Sequence, residues 1–373
     1  MLFKDIIGQK KLKSHFINEI NSGKISHAKL LLGNNGNGTL PLVLGFIQYL
    51  FCTNRLTDDS CGMCHSCLKN QKLEHPDVHY TFPVVLAIDK KSNYFLSTWR
   101  EIIQKRSYFN LNQWNKEIDE KGRQPIIGNE EGHEIIKKLG LKSFEGGFKV
   151  ILIWMAETMN ESCSNRLLKI LEEPPNKTLF FLISESSETI LPTILSRTQL
   201  INVPAIEFDA LHIYLEKNHE IPKSMAISIA SQAEGSYIEA LDLLGSTHEE
   251  KDLNRDLFVN MMRVSYKKDV LAMISWADEI STQGKEKQKI FLRYALHMFR
   301  QSILKNYTEN QLTSISKEEE EFLNKFSQFI TGSNINDFMN YFNDAHYHLE
   351  RNANSKILFT ELCFKTMRFI HLG

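Results

Sequence analysis

The sequence predicts an α/β domain built on a parallel sheet, followed by an all-helical region. Two apolar runs, Lys149–Met155 and Leu179–Ser184, are uninterrupted, which is typical of strands buried on both faces of a parallel sheet. A helical stretch lies between them and ends at Pro174-Pro175, because proline cannot continue a helix. From about residue 206 the strand signal ceases, and helical periodicity continues through the rest of the sequence.

Alternating strand and helix signals along the first half of the chain support this α/β prediction. The predicted strands are Leu30–Leu32, Val78–Phe82, Lys149–Met155, Leu179–Ser184 and Leu200–Pro204. The predicted helices and helical turns of this half include one with Leu12, Phe16, Ile17 and Ile20 on one face, one running to Phe51, Glu130–Leu141, Cys163–Glu173 and Leu191–Arg197. Further along, we interpret two apolar stripes as core packing: Leu292, Leu296, Phe299 and Ile303, and then Phe338, Tyr341, Phe342, Ala345 and Leu349.

Composition narrows the class of protein. The 44 Lys and Arg residues nearly balance 45 Asp and Glu residues, for a formal charge of −1, which argues against a strongly basic nucleic-acid binder. No apolar run approaches the length of a membrane span, and Met1–Asp5 does not open a signal peptide. We therefore expect a cytoplasmic protein that makes no membrane contact.

A glycine-rich stretch, Gly33–Leu40, lies between two apolar runs, which is the context of a phosphate-binding loop. Gly33 and Gly38 match the glycines of the pattern G-x-x-x-x-G-K-[ST], with Gly36 between them. Thr39 replaces the lysine that contacts the outer phosphates, and Leu40 replaces the hydroxyl residue that ligates magnesium. On this stretch alone, an ordinary turn rich in glycine and asparagine is the alternative interpretation.

Four cysteines are crowded into a short segment, in the order Cys52, Cys61, Cys64 and Cys67. Zinc favours tetrahedral thiolate coordination, so this spacing predicts a structural zinc site with no open coordination position. His65 lies inside the cluster and could replace one ligand, and a set of unrelated free thiols is the other alternative.

Several motifs together resemble one family, the bacterial clamp-loader subunits of the AAA+ class that belong to DNA polymerase III. They comprise Ser26-His27-Ala28 before the loop, the four-cysteine module, His75-Pro76-Asp77, the block Asn165–Pro175 and Ser196-Arg197-Thr198. The order and spacing of these motifs cover about residues 1–245 and are most similar to the delta-prime branch of the family. Thr198 departs from the family's S-R-C motif, which has cysteine at this position.

The resemblance implies a five-membered ring that opens a sliding clamp and places it on primed DNA. Its implied partners are gamma/tau-like and delta-like subunits, the clamp, and DNA contacted through the complex. Arg197, with Ser196 before it, matches an arginine finger that reaches the ATP site of a neighbouring subunit and stabilises the charge of the transition state.

The resemblance also implies that this chain does not hydrolyse ATP. Thr39 and Leu40 replace the working side chains of the loop, and Ile238 stands near the place of the lid arginine. Glu157 follows the strand that should end in acidic residues, but the acid expected before it is missing. Because these groups all serve one ligand, we predict a non-catalytic subunit, while weak nucleotide binding by loop N–H groups stays open.

The predicted organisation has three parts. Residues 1–205 form an AAA+ α/β domain with a zinc module at 52–67 and a polar insert at about 84–147. Residues 206–247 form a helical lid domain, and residues 248–373 form a C-terminal helical collar for oligomerisation. The aromatic residues of the insert could belong to its core or to a partner surface.

Two other functions remain as alternatives. An active ATPase subunit of the gamma/tau type would need a working phosphate loop, which Thr39 and Leu40 argue against. A zinc-containing DNA-binding protein would use the cysteine module on nucleic acid, which the near-neutral charge argues against.

Overall fold

The computed structural model describes residues 1–34, 36–245, 248–307, 317–350 and 353–371. Asn35 of the glycine loop and residues 246–247, at the predicted boundary between lid and collar, lie outside the described residues. The described part divides into two compact units. Unit 1 comprises Met1–Ile221 and Ala233–Leu241, and unit 2 comprises Pro222–Gln232 and Asp242–Gly373. The division into α/β, lid and collar domains stays a prediction.

Unit 1 contains the strands and most of the short helices. Its strands are β1 (Ala28–Leu32), β2 (Val78–Thr81), β3 (Lys149–Trp154), β4 (Thr178–Ser184) and β5 (Gln199–Asn202). Its helices are α1 (Lys10–Ser22), α2 (Thr39–Phe51), α3 (His65–Gln71), α4 (Leu96–Lys105), α5 (Leu111–Ile118), α6 (Asn129–Gly140), α7 (Glu161–Glu172), α8 (Pro192–Leu195) and α9 (Phe208–Asn218). The helix predicted at Leu191–Arg197 is thus the shorter α8, and the last strand ends at Asn202 instead of Pro204.

The five strands form one parallel sheet in the order β2–β3–β4–β1–β5. Leu30 pairs with Leu182 and Leu152 pairs with Phe181, so the two uninterrupted apolar runs are neighbours in the middle of the sheet. Every residue of β3 and β4 is buried. The predicted parallel sheet with strands buried on both faces is confirmed.

Successive side chains of β3 enter two different cores, because side chains alternate across a strand. Leu152 and Trp154 join one apolar cluster with Phe16 and Phe46, which belong to α1 and α2. Ile151 and Ile153 join a second cluster, and α6 and α7 cover that face with the side chains Ile135, Leu139, Leu167 and Leu171. Helices therefore cover both faces of the sheet, as expected of an α/β domain.

Aromatic residues of the polar insert belong to the core on the face with α1 and α2. Trp99 in α4 stacks on Phe82 with ring centroids 4.3 Å apart, and it also lies 5.2 Å from Trp154 at the end of β3. Trp114 in α5 is fully buried and donates its indole N–H to the carbonyl of Pro83 (2.8 Å). Aromatic side chains therefore anchor the insert to the sheet. The sequence alone did not decide between this core role and a partner surface.

Replacing Trp99 with alanine should remove the centre of this aromatic cluster. Because Trp99 is fully buried, we expect the free energy of unfolding to fall by about 3–5 kcal/mol. Urea unfolding followed by circular dichroism would measure the change. Tyr94→Ala in the same insert is the control, since Tyr94 is 64% exposed and its loss should change stability by no more than about 0.5 kcal/mol. Equal effects of the two substitutions would contradict the packing role.

Unit 2 contains helices and no strand among its described residues. Helices α10 (Lys223–Gln232), α12 (His248–Lys267), α13 (Val270–Ser281), α14 (Lys285–Tyr307), α15 (Lys317–Phe326), α16 (Ile335–Glu350) and α17 (Ser355–Ile370) lie in it, and α11 (Tyr237–Gly245) spans the boundary between the units. Phe299 packs on Phe338 and Phe342 at centroid distances of 4.5 and 4.9 Å, which confirms the predicted core stripes. No helix among the described residues is long and apolar enough to cross a membrane.

Candidate functional site

The glycine loop joins β1 to α2, as the sequence predicts. Gly33 donates its N–H to the carbonyl of Ser184 at the end of β4 (3.1 Å). Gly38 accepts a hydrogen bond from the N–H of Leu42 in α2 (3.0 Å). Gly36 and Gly38 have φ angles of +84° and +88°, a region in which residues with a Cβ atom are strained. The described part of the loop thus has the backbone setting of a phosphate loop: strand, glycine turn and helix N-terminus.

Groups of the chain itself pack against the two glycines. The carbonyl of Gly36 accepts a hydrogen bond from Tyr237 N–H (3.2 Å), and a Cβ atom added to Gly36 would lie 2.2 Å from Ser236 Oγ. A Cβ atom added to Gly38 would lie 3.1 Å from the hydroxyl oxygen of Tyr108. The segment around residue 237 and the insert therefore both approach the loop closely.

Little room remains beside the loop. The cavity there has a volume of about 40 Å³, whereas ligand pockets usually measure about 300–1,000 Å³. Tyr108, Phe109, Trp154 and Ile238 line it together with the loop. Ile7 N–H donates to the Tyr108 hydroxyl oxygen (3.1 Å), which fixes that ring in place. The space enclosed beside the described part of the loop is therefore smaller than that of a usual ligand pocket.

Three positions at which the sequence predicts the loss of nucleotide-binding side chains lie beside this cavity. Thr39 and Leu40, at the first two positions of α2, are both buried. The Thr39 hydroxyl has no hydrogen-bond partner within the described part of the chain. Ile238, near the place of the lid arginine, adds only an apolar wall. None of these three side chains brings positive charge to the loop.

Glu157 is the acidic residue that the sequence retains after β3, and its carboxylate is bonded within its own chain. It lies in a short 3-10 turn, Ala156–Thr158, and its carboxylate accepts a hydrogen bond from Glu185 N–H (2.9 Å). Burial raises the pKa of Glu157, which disfavours the charged form that a magnesium site requires. Trp154, at the end of β3, places an apolar ring on the wall of the cavity. The resemblance implies that an active subunit has acidic residues near this end of the strand.

The four predicted cysteines come together in space. Their sulfur atoms all lie within 4.8 Å of one another, with Cys52 to Cys61 at 3.6 Å and Cys61 to Cys67 at 3.9 Å. Tetrahedral zinc with Zn–S bonds of about 2.3 Å places sulfurs about 3.8 Å apart, so these cysteines fit a structural zinc ion. Cys64 completes the set, whereas His65 is exposed and is not part of it.

The cysteine segment also holds other parts of unit 1. Both carboxylate oxygens of Asp59 accept backbone hydrogen bonds, from Phe3 N–H and Lys4 N–H, at 3.0 Å each. The ring of Phe3 is buried in the core that includes α2. These hydrogen bonds connect the N-terminal segment to the cysteine segment, a contact that no motif in the sequence indicated.

The His75-Pro76-Asp77 motif supports the helix that follows Cys64. Glu145 bonds to His75 Nε2 (3.1 Å) and accepts a hydrogen bond from Lys69 of α3 (2.8 Å). Asp77 in turn accepts a hydrogen bond from Glu145 N–H (2.9 Å) and one from Phe144 N–H (2.7 Å). These contacts give the motif a structural role in this fold, and sequence analysis assigned no role to Glu145.

Arg197 lies just after α8, and its side chain is one-third exposed. Its Nη1 donates to the carbonyl of Thr193 (2.9 Å) and to Ser196 Oγ (3.2 Å). Its Nη2 forms an ion pair with Glu172, the last residue of α7. Arg197 is thus accessible and folded back on its own chain, and it does not line the cavity beside the loop.

The sequence alone did not indicate two residues of the candidate site, Tyr108 and Glu172. Tyr108 lies far from the glycine loop along the chain, and its only signal was the density of aromatic residues in the insert. Glu172 belongs to the Asn165–Pro175 block, but the ion pair with Arg197 depends on how α7 and α8 meet in space.

The sheet order, the glycine loop after β1 and the helix that follows define an α/β protein of the phosphate-loop type. The family described as DNA polymerase III, delta subunit, matches residues 8–207, and the chain belongs to this family. A DNA polymerase III subunit delta' from Yersinia pestis is 30% identical over 181 residues, which cover 48% of this chain and 42% of that protein. A DNA polymerase III subunit gamma from Buchnera aphidicola is 28% identical over 247 residues, which cover 65% and 57%.

The chain spans about half the length of these curated relatives. Among solved structures, a DNA polymerase III gamma subunit-related protein from Thermotoga maritima aligns with 14% identity and a TM-score of 0.42, covering 96% of this chain and all of that one.

Proposed function

We propose that this chain is a non-catalytic, delta-prime-like subunit of a DNA polymerase III clamp loader. It helps to load the sliding clamp on primed DNA and supplies Arg197 in trans to the ATP site of a neighbouring subunit. Its partners are gamma/tau-like and delta-like subunits and the clamp, and it meets DNA through the complex. Membership of the DNA polymerase III family supports the assembly.

The closed phosphate loop is the observation that carries the non-catalytic part of this proposal. A nucleotide would have to displace Tyr108 and the segment around Tyr237, both of which bond or pack within the chain. Even then the loop would lack the charge of a lysine and the hydroxyl at the magnesium position, because Thr39 and Leu40 stand there. These two deficits act together, so we infer that the chain itself neither hydrolyses ATP nor binds it tightly.

The accessibility of Arg197 supports the proposal that the chain supplies an arginine to the ATP site of a neighbouring subunit. It carries a guanidinium that is partly exposed and does not line the cavity beside the glycine loop of its own chain, and its position matches the family's finger. An arginine supplied from a neighbour stabilises the charge that develops on the transferred phosphoryl group. Ser196 contacts the Arg197 guanidinium through its hydroxyl and helps to hold it.

The remaining parts of the proposal concern architecture. We infer that the four cysteines hold one structural zinc ion, in keeping with the fit of their sulfur positions. We also infer that residues 206–247 act as the lid and residues 248–373 as the collar through which the ring assembles.

ATP turnover by the isolated chain tests the non-catalytic assignment. We expect no phosphate release above that of a blank, and no saturable ATP binding by calorimetry at the concentrations that saturate a gamma/tau-type subunit run as the control. The reason is the closed, lysine-free loop. Turnover by the chain alone would replace this proposal with the gamma/tau-type ATPase. Salt-sensitive DNA binding by the chain alone would favour a zinc-containing DNA-binding protein.

A further inference from the structure

Glu172 occupies an unusual place for a carboxylate. It is the last residue of α7, where the partial negative charge of the helix C-terminus disfavours an acidic side chain. The guanidinium of Arg197 lies against it and offsets that charge. The adjacent Glu173 is exposed and forms no ion pair within the described residues. The position of Glu172, rather than acidity in this segment as such, therefore selects the contact with Arg197.

Arg197 is held by three acceptors of its own chain. Besides Glu172, they are the carbonyl of Thr193 and the hydroxyl of Ser196. Of these, Glu172 alone is a carboxylate, so it provides the strongest single competitor for any anion that the guanidinium meets elsewhere. The Glu172 side chain is 46% exposed and that of Arg197 is 33% exposed, so water screens the pair and it can open at modest cost.

We propose that Glu172 is a positioning residue that stores Arg197 on its own subunit until a neighbour's ATP competes for it. This inference rests on the proposed function, because it supposes that Arg197 acts in trans. The polyphosphate carries more negative charge than one carboxylate and takes over the guanidinium when the interface closes. A carboxylate at residue 172 thus raises the ATP concentration at which the finger engages.

The test uses the reconstituted clamp-loader complex with clamp and primed DNA. Four versions of this chain are compared with the wild type: Glu172→Gln, Glu173→Gln, Arg197→Ala, and Glu172→Gln combined with Arg197→Ala. Glutamine keeps the size of glutamate and removes its charge, and Glu173→Gln makes the same change one residue away. The initial rate of ATP hydrolysis is measured across ATP concentrations, and thermal unfolding of each isolated chain controls for stability.

We expect Glu172→Gln to lower the KM for ATP at the one site that Arg197 serves by about two- to fivefold with kcat unchanged, the size of effect that an exposed ion pair provides. This KM is obtained from the part of the turnover that is lost in the Arg197→Ala complex. Glu173→Gln should leave both constants unchanged. The double variant should behave like Arg197→Ala alone, because the stored group is then absent. A purely structural role of Glu172 would lower stability without this change in KM.

Other outcomes separate this inference from the proposed function. If Arg197→Ala lowers turnover but Glu172→Gln changes neither KM nor kcat, the storage role is wrong and the finger assignment stands. If Glu172→Gln raises KM or lowers kcat, Glu172 directs the finger productively and the storage role is again wrong. If Arg197→Ala leaves turnover unchanged, the finger assignment in the proposed function is wrong and the storage role is wrong with it.

Discussion

Replacing Arg197 with alanine should slow ATP hydrolysis at the neighbouring subunit's site by about 10³-fold or more, while this chain stays folded. The charge that develops on the transferred phosphoryl group would lose its partner from across the interface. Arg197 is one-third exposed and its contacts are surface contacts, so its loss should cost the chain little stability. The effect would be measured as clamp-stimulated ATP turnover of the assembled complex. The expected result is the loss of the turnover that this one site contributes.

Arg106→Ala is a matched control for this experiment. Arg106 is also an exposed arginine in an exposed ion pair, with Glu117, but it lies in the insert. The control complex should retain wild-type turnover. Unchanged turnover in the Arg197→Ala complex, with all subunits present, would rule out the finger assignment.

Removing the metal should have the second large effect. Structural zinc binding contributes about 10 kcal/mol or more to folding in zinc-finger peptides, so the cysteine segment should lose its fold without the ion. Asp59 would then no longer hold Phe3 and Lys4, and the N-terminal segment should loosen as well. We expect Cys67→Ser protein to contain no stoichiometric zinc and to unfold at a lower temperature, as should wild-type protein treated with a chelator.

Elemental analysis of protein purified without chelator checks the metal directly, and we expect one zinc per chain. Cys163→Ala serves as the control, because Cys163 is buried in a core and is not part of the four-cysteine group. This variant should keep its zinc even if it loses some stability. Wild-type protein with no zinc, or a melting temperature that ignores the chelator, would show that the four thiols have no metal.

The elements of the sheet were predictable because their signals are local. The run Lys149–Trp154 is apolar without interruption since both of its faces are buried, and the Pro174-Pro175 pair marks where α7 must have ended. The cysteine cluster was predictable for a similar reason, since C-x-x-C spacing places sulfurs close together through the backbone alone. The positions of the described loop glycines were likewise predictable, because they depend only on the order of residues in the chain.

The parts that were missed depend on contacts between distant segments. Trp99 and Trp114 face the sheet from short helices, so they show no long helical periodicity that would reveal a buried side. The contact of Tyr108 with Gly38 brings the insert to the first loop, and the pair Glu172–Arg197 brings the end of one helix to the end of another. Such contacts depend on the tertiary structure, and they leave no local pattern in a single sequence from which they could be predicted.

Under the proposed function, the narrow cavity beside the glycine loop bears on how the stability of the chain depends on nucleotide concentration. Binding of a ligand to the folded state stabilises a protein by an amount that rises with the logarithm of the ligand concentration above the dissociation constant. If the chain binds no nucleotide, as we propose, we expect its melting temperature to be the same with ATP, with ADP and with neither. Under the proposed function, we therefore expect the chain to present Arg197 in the same way at any ratio of ATP to ADP.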